Sequence, residues 1–366
     1  WPFPSFSIRL NALVEVSSPG RICLFGEHQD YLGLPVIAMA MNLRLQIRGR
    51  KRNDKKIIIN LPNIDNSESF FINDSINIKP KNIFQSGVKV CIEEGLSFSS
   101  GFEVEILSKI PIQAGAGSSS ALMVAWINFL SQVADNPHNW NKENIAQIAF
   151  KSEVLQFNLP GGMMDQYSSA FGGYIYLESA PKISIRKLNP NLGYFVLGDS
   201  CVSKDTTSIL KRCRDMRLNI VNKLTKRYPD FDLHNNEEVD ISFLSKNEQN
   251  IFKATINNRD ILLKVLPELK KNNPDCSFIG RYLIKHHEIL RDELGVSTKK
   301  IENMLDAALT AGALGGKITG SGGGGCMFAY APNNPEIVAE AIEKAGGKSF
   351  IINSDIGTSV LQNTEN

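Results

Sequence analysis

Strand-like and helix-like patterns alternate along the first half of the chain. Apolar and polar residues alternate with period two over Leu43 to Ile47 and over Phe102 to Ile106. Successive side chains of a strand point to opposite faces, so both segments are predicted to be half-buried strands. The basic run Arg50 to Lys56 is predicted to be a solvated hairpin turn leading into a strand at Lys56 to Asn60, with a phosphate-binding segment as the alternative.

Helices are predicted beyond the second of these strands. Apolar residues recur at helical spacing with few polar interruptions over Ala121 to Val133, which indicates a largely buried helix. A second helix is predicted over Lys142 to Gln156, with Asn141 as its N-cap and the turn Pro160-Gly161-Gly162 ending it. Two further strands are predicted after this turn, at Gly173 to Glu178 and Ile183 to Leu188.

After about Asn189 the pattern changes to longer helical stretches. Helices are predicted at Thr206 to Arg227, Phe278 to Leu294, Thr298 to Ala311 and Pro335 to Ala345, apolar β-type runs at Lys317 to Ala329 and Lys348 to Ile352, and a surface loop at Tyr228 to Val239. We therefore expect an α+β protein with two domains, residues 1–190 and residues 191–366.

Composition limits the classes of function. A length of 366 residues corresponds to about two domains, and a net charge of +2 is too small for the basic surface that non-specific nucleic-acid binding needs. The longest apolar run, Ala121 to Ile127, is far shorter than the ~20 residues that span a bilayer. Six cysteines without a C-x-x-C motif, and no signal-peptide pattern from Trp1 to Val14, predict reduced thiols and a soluble, cytoplasmic protein.

Three glycine-bounded segments contain the candidate chemistry, and the first is Ser18 to Gly33. It concentrates five polar or ionisable side chains: Arg21, Glu27, His28, Asp30 and Tyr31. Two carboxylates and an imidazole can pair with hydroxyls that would otherwise lose water without a partner, so this segment suits a polyhydroxylated ligand. The alternative is a set of turn caps and surface ion pairs.

The second segment, Gln113 to Ser120, is a glycine-serine loop that enters the predicted buried helix. Free N–H groups and the positive end of the helix dipole make such a loop suitable for phosphates, and a serine hydroxyl there can reach Mg²⁺. The loop is neither a Walker A motif nor a dinucleotide fingerprint. An ordinary tight turn is the alternative.

The third segment is Lys317 to Cys326, with four consecutive glycines before a predicted strand. Such a run indicates that backbone or ligand comes too close for any Cβ atom. Gly316-Lys317-Ile318 fails as a Walker A motif, because Ile318 stands where a hydroxyl is required. A flexible linker is the alternative, although core-like residues flank the run.

In this order and spacing, the three segments resemble the GHMP kinases, which include galactokinase, homoserine kinase and mevalonate kinase. Gly20-Arg21 followed by Gly26 to Tyr31 is similar to the galactokinase signature, and Pro160 to Tyr167 is similar to the stretch that holds the catalytic aspartate of galactokinases. Glu153 precedes Asp165 by 12 residues, the family's spacing between metal-binding glutamate and aspartate. The resemblance implies a two-domain fold, with a left-handed β-α-β unit in the N-terminal domain and a ferredoxin-like C-terminal domain.

The resemblance also implies roles for individual residues. Asp165 would accept the proton of the acceptor hydroxyl, and Arg21 would lie between Asp165 and the transferring phosphate. The remaining implied residues are the sugar binders Glu27, His28 and Asp30, the phosphate-binding residues Gly115, Gly117, Ser118, Ser119 and Ser120, and the Mg²⁺ ligands Ser119 and Glu153. The implied cofactors are ATP and Mg²⁺, the implied partner is a small-molecule sugar, and the chain would be a monomer or small homo-oligomer without nucleic-acid or membrane partners.

Departures from the galactokinase pattern affect the substrate more than the reaction. Gln29, Leu32 and Gln113 replace residues that are usual in galactokinases. The third segment, which has Gly323, and the stretch Leu294 to Ser297 are more similar to mevalonate kinases than to galactokinases. A sugar is favoured, with transfer to the anomeric hydroxyl of galactose or a relative, because mevalonate kinases lack an acidic residue at the position of Asp30. The alternatives are a mevalonate-type kinase and a non-catalytic sugar sensor.

Overall fold

The computed structural model describes residues 13–76, 82–112, 115–202, 206–235 and 239–361. The strands in this part of the chain are β1 (Val14–Phe25), β2 (Val36–Lys51), β3 (Lys56–Leu61), β4 (Asn66–Phe71), β5 (Phe102–Ser108), β6 (Tyr174–Glu178), β7 (Ser184–Leu188), β8 (Phe195–Asp199), β9 (Gly315–Ile318), β10 (Cys326–Tyr330), β11 (Lys348–Ile352) and β12 (Ser359–Leu361). The α-helices are α1 (Ile83–Glu93), α2 (Ser118–Val133), α3 (Lys142–Glu153), α4 (Met164–Phe171), α5 (Thr206–Arg227), α6 (Lys246–Leu269), α7 (Cys276–Glu288), α8 (Lys299–Thr310) and α9 (Pro335–Lys344).

The strands form two sheets. The first follows the order β12-β1-β2-β5-β3-β4, with β6 paired to β2 and β7 paired to β6. The second is a four-stranded antiparallel sheet in the order β11-β8-β10-β9. This arrangement confirms the predicted two-domain α+β fold. β3 and β5 pair in parallel across a connection that contains β4 and α1, and the left hand implied for the β-α-β unit stays a prediction.

The basic run Arg50 to Lys56 was predicted to be the turn of a hairpin, and the pairing of its two flanking strands is wrong. β2 and β3 do not pair with each other, because β5 lies between them and pairs with both. Gly101, just before β5, makes this insertion possible: a Cβ there would come within 2.0 Å of the Lys56 carbonyl oxygen. The turn itself is solvated as predicted, and Arg52 pairs with Asp54 within it.

The buried helix α2 lies at the centre of the hydrophobic core that packs on the first sheet. It begins at Ser118, three residues before the predicted start. The indole of Trp126 in this helix stacks on Phe129 and meets Phe102 of β5 edge to face. Gly87 of α1 brings that helix against the indole, since a Cβ at this position would lie 2.5 Å from the Trp126 ring. The aromatic cluster therefore fixes α2 against β5 and α1, and with it the position of the loop that precedes α2.

Several helix boundaries agree with the sequence. α5, α8 and α9 match their predicted ranges to within about a residue, and Asn141 caps α3 in a reciprocal pair with Asn144. α3 ends at Glu153, before its predicted end, and the next turn is 3-10, Leu155–Phe157. The helix predicted at Phe278 to Leu294 is α7 followed by a π-helical turn, Ile289–Glu293.

Other elements differ from the patterns. The elements that were not predicted are β1, β4, β8, β12, α1, α4 and α6. The run Lys317 to Ala329 is two strands, β9 and β10, joined by a glycine loop. That loop is buried except for Gly323, so the flexible-linker alternative is wrong. The described part of Tyr228 to Val239 forms no helix or strand, as expected for a loop.

The last strand returns to the first sheet. β12 pairs with β1, although it lies within the predicted second domain; the division at residue 190 stays a prediction. All six cysteines lie in the described ranges and none of them is in a disulfide, and Cys23 and Cys326 lie buried in strands rather than in loops. Of the helices in the described ranges, none combines the length and apolar character that crossing a membrane requires.

Candidate active site

Arg21 enters the site from a strand rather than from a loop. The pairing of β1 with β2 shifts register between Pro19 and Arg21, and a bulge of this kind re-aims the following side chain. Gly20 at the bulge lies so close to the second segment that a Cβ would meet the Ala116 carbonyl oxygen at 2.8 Å. The backbone N–H of Arg21 donates to that oxygen at 3.0 Å, so the first two segments are in contact.

Arg21 and Asp165 form a two-bond ion pair. Nε and Nη2 of Arg21 donate to Oδ1 and Oδ2 of Asp165 at 2.7 and 2.5 Å, while Nη1 donates to the Gly115 carbonyl oxygen at 2.5 Å. Burial lowers the pKa of Arg21, but pairing with Asp165 outweighs it and the pKa lies above its ordinary value. Asp165 is in the first turn of α4, where the helix dipole favours a negative charge.

Glu27 and His28 follow the end of β1 and face the same cavity. Oε2 of Glu27 accepts a hydrogen bond from Nζ of Lys317 at 2.9 Å, and both side chains are buried. His28 has φ 61°, a left-handed conformation that turns the chain sharply after Glu27. Its Nδ1 lies 3.1 Å from the Tyr31 hydroxyl and its Nε2 lies 3.1 Å from the Ser321 carbonyl oxygen, so the first and third segments are in contact.

Asp30 lies against the turn before α4. Its Oδ1 accepts from the Tyr31 N–H at 2.9 Å and its Oδ2 from the Met164 N–H at 3.3 Å. Gly162 makes room for this carboxylate, since a Cβ there would come within 1.9 Å of Oδ2. Burial, together with the charge of Asp165, raises the pKa of Asp30 to about 6.

The second segment forms the N-terminus of α2. Gly115 and Gly117 have φ 83° and 76°, which glycine adopts without strain, and Ser118 starts the helix. Gly320 of the third segment comes so close that a Cβ would lie 2.7 Å from the Gly115 carbonyl oxygen. The glycines of the third segment therefore let it pack on the second, as their sequence predicted; Gln113 lies outside the described residues.

Glu153 and the serines provide oxygen atoms of the kind that Mg²⁺ binds. Nε2 of Gln166 donates to Oε2 of Glu153 at 2.7 Å and to the Ser120 hydroxyl at 3.2 Å. Burial raises the pKa of Glu153, and hydrogen bonds from Ser119, Gln166 and Ser120 oppose that rise. Oε1 of Gln166 is buried and has no hydrogen-bond partner among the described residues. The residues present therefore fit a Mg²⁺ site with few protein ligands, which leaves room for phosphate oxygens and water.

One cavity of about 300 Å³ collects these groups. Its lining includes every site residue named from the sequence: Arg21, Glu27, His28, Asp30, Gly115, Gly117, Ser118, Ser119, Ser120, Glu153 and Asp165. Residues that sequence reasoning missed are Gln166, directly after Asp165, and Thr206, Thr207 and Leu210 at the start of α5. Lys317 was considered only as a failed Walker A lysine, yet it contacts Glu27.

Family comparisons agree with this geometry. The GHMP kinases N terminal domain matches residues 82–173, the GHMP kinases C terminal domain matches residues 266–348, and the galactokinase galactose-binding signature matches residues 8–51. A mevalonate kinase of Pyrococcus furiosus is 32% identical over 92% of this chain and 95% of that protein. The chain belongs to the GHMP kinase family. GHMP kinases are ATP-dependent kinases that phosphorylate alcohol groups, so this GHMP kinase is a phosphotransferase of that class.

Other relatives of this GHMP kinase include both galactokinases and mevalonate kinases. A galactokinase of Haemophilus influenzae is 27% identical over 91% of this chain and 90% of its own length. The structure of Lactococcus lactis galactokinase complexed with galactose superposes with a TM-score of 0.83 at 20% identity, covering 96% of each chain. Methanococcus jannaschii mevalonate kinase superposes with a TM-score of 0.73 at 21% identity, covering 94% and 99%. These structural similarities describe the fold.

Proposed function

We propose that this GHMP kinase transfers the γ-phosphate of Mg·ATP to a hydroxyl of a neutral sugar, galactose or a close relative, at the anomeric position. The observation that supports phosphoryl transfer is the two-bond pair of Arg21 and Asp165 beside the N-terminus of α2. Phosphoryl transfer needs two reactants positioned in line and charge neutralised on the transferring group, and these residues meet both needs.

A neutral acceptor is supported by the charges around the cavity. Four carboxylates line it, those of Glu27, Asp30, Glu153 and Asp165, whereas Arg21 is the one arginine or lysine among the described lining residues. Arg21 already engages Asp165 with two of its nitrogens. The carboxylate of an acid such as mevalonate would lie among like charges, which disfavours binding. Sugar hydroxyls can instead donate to Glu27 and Asp30.

In the proposed reaction Asp165 orients the acceptor hydroxyl and accepts its proton as the oxygen attacks the γ-phosphorus. The bond from this phosphorus to the bridging oxygen breaks, and ADP leaves. Arg21 holds the carboxylate of Asp165 in place through its fork and places positive charge beside the transferring group. The free N–H groups at the start of α2 bind the phosphates. Ser119 and Glu153 would hold Mg²⁺, which neutralises charge on the β- and γ-phosphate oxygens when bound.

A mevalonate-type kinase is the second candidate. The 32% identity to mevalonate kinase exceeds the 27% identity to galactokinase, which favours this alternative. The galactose-binding signature over residues 8–51, the segment that contains Glu27 and Asp30, favours a sugar. A non-catalytic sensor is disfavoured because Asp165, Glu153 and Ser119 are all present around the cavity.

The experiment is a comparison of ATP consumption with galactose, N-acetylgalactosamine, uronic acids and mevalonate as acceptors, each in the presence of Mg²⁺. We expect turnover with a neutral sugar that exceeds turnover with either acid. Turnover with mevalonate alone would contradict the sugar proposal and leave the kinase class intact. Binding of galactose without consumption of ATP would support the sensor instead.

A further inference from the structure

Lys317 is buried in the second sheet and is fully engaged. It lies on β9 with no side-chain exposure, and its Nζ donates to the carbonyl oxygens of Cys23 and Ile318 at 2.8 Å each and to Oε2 of Glu27 at 2.9 Å. An ammonium group has three protons, so all of them are used. The group also lies 5.1 Å from the centre of the Phe328 ring. Lys317 therefore has one fixed position.

Glu27 connects this lysine to the acceptor cavity. Its side chain is 3% exposed and lines the cavity, with Oε2 bound to Lys317. Within the described ranges no hydrogen bond to Oε1 is formed, so that oxygen can accept from a hydroxyl of the acceptor. The hydroxyl of Thr319 accepts from the Cys23 N–H at 3.3 Å, which joins the same two strands a second time.

We propose that Lys317 is a positioning residue for the acceptor: it holds the carboxylate of Glu27 in an orientation that faces the cavity, and thereby sets affinity for the sugar rather than for ATP. The proposal rests on the proposed function for the identity of the acceptor. Without Lys317 the buried Oε2 of Glu27 would lose its hydrogen-bond donor, and the carboxylate would turn toward another partner instead of facing the acceptor. Lys317 prevents this although it belongs to a strand of the other sheet.

The charged and titratable surroundings of the Glu27–Lys317 pair come from three elements. They are Arg21 and Cys23 on β1, His28 and Asp30 in the segment after β1, and His286 and His287 on α7, which face Lys317. Arg21 is shared with Asp165, and Asp30 is a like charge. Lys317 is thus the described cation that pairs directly with Glu27, and its removal should change the position of this carboxylate most.

The test compares the full-length variants Lys317→Met, Glu27→Gln and the double variant with the wild type, using the acceptor sugar that supports turnover. For Lys317→Met we expect the acceptor KM at pH 7 to rise about 10–100-fold, the effect of a lost bond to a charged group. The KM for ATP should change less than about twofold, because the phosphate-binding residues are untouched. Glu27→Gln should show a similar rise in the acceptor KM.

The double variant separates positioning from general stability. If Lys317 acts through Glu27, the double variant should have the acceptor KM of Glu27→Gln, because the effects of coupled residues do not add. It should also melt above Lys317→Met, since it leaves no unpaired buried charge. Should Lys317→Met fail to fold, the comparison of Glu27→Gln with the double variant carries the test, and a further rise in acceptor KM would overturn the proposal.

Asn258→Ala provides the matched structural control. Nδ2 of Asn258, a buried residue on α6, donates to the backbone oxygen of Glu27 at 3.0 Å and leaves the carboxylate untouched. This variant should lose stability, while its acceptor KM should stay within about threefold of wild type. A Lys317→Met acceptor KM within threefold of wild type would reject the Lys317 inference alone, whereas wild-type turnover with mevalonate and no sugar would reject the proposed function.

Discussion

The acceptor cavity has two ion pairs, Arg21 with Asp165 and Lys317 with Glu27, that differ in their surroundings. The side chains of the first pair are 5% and 27% exposed, and Arg21 binds both carboxylate oxygens. Those of the second are 0% and 3% exposed, and Lys317 binds one oxygen. Each pair holds a carboxylate at the cavity, but only Asp165 is open enough to exchange a proton with a reactant.

The difference predicts separate roles for the two ion pairs. A partly exposed, forked pair suits a group that must change protonation during turnover, since its partner arginine stays charged throughout. A dry pair suits a group that must stay ionised and still, because breaking it leaves an uncompensated buried charge. Variants of the first pair should therefore affect kcat, and variants around the second should affect acceptor binding.

The largest effect should come from Asp165→Asn. The amide cannot accept the hydroxyl proton, so we expect kcat to fall by about 10²–10⁴, the typical value of general-base help. The Kd for ATP, measured by titration calorimetry, should stay near wild type because the glycines and serines at the start of α2 are unchanged. Near wild-type kcat would remove Asp165 from the base role.

Arg21→Lys tests the fork of the first pair. Lysine keeps the charge but cannot bind both oxygens of Asp165 in a plane. We expect kcat to fall about 10²-fold, as for the loss of one donor that stabilises transition-state charge, with acceptor KM changed little. Steady-state kinetics measure both quantities, and a rise in acceptor KM at constant kcat would contradict the division between the two pairs.

Gly162→Ala tests acceptor recognition at Asp30. The new Cβ would overlap the Asp30 carboxylate at 1.9 Å, so this group must move, and we expect the acceptor KM to rise about 10–100-fold. Gly161→Ala is the matched control, because its Cβ would meet only the Val154 side chain at 3.9 Å. Equal kinetics for the two variants would show that the position of Asp30 does not matter.

The smallest effect is a pH dependence from Asp30. Its pKa is about 6, so the carboxylate is protonated as pH falls through 6 and loses its capacity to accept two hydroxyl bonds. We expect kcat/KM for the acceptor to fall about tenfold between pH 7 and pH 5. A profile measured with Asp30→Asn should lack this step, and persistence of the step in that variant would assign it to another group.

Much of the fold was predictable because the decisive signals are local. The cap at Asn141 and the period-two strand Leu43 to Ile47 depend on neighbouring residues, and the structure confirms them. β1 was missed because it is buried along its whole length and shows no alternation. The insertion of β5 between β2 and β3 depends on the close approach of Gly101 to Lys56, a distant contact that no local pattern contains.

The candidate site was also predictable in part. The ionisable and hydroxyl-bearing residues of the site lie near glycines in the sequence, and the family resemblance implied their roles. They could therefore be named before the cavity was known. Lys317 and Gln166 could not be assigned in that way, because each acts on another side chain: Lys317 on Glu27 and Gln166 on Glu153. Such contacts between distant segments exist only in the folded chain.

The most direct test of the account is phosphorus and proton NMR of the product formed from galactose and Mg·ATP. We predict one sugar phosphate whose phosphorus couples to the anomeric proton, formed by the wild type and at a rate about 10²–10⁴ lower by Asp165→Asn. Absence of any sugar phosphate, with mevalonate phosphorylated under the same conditions, would contradict the account.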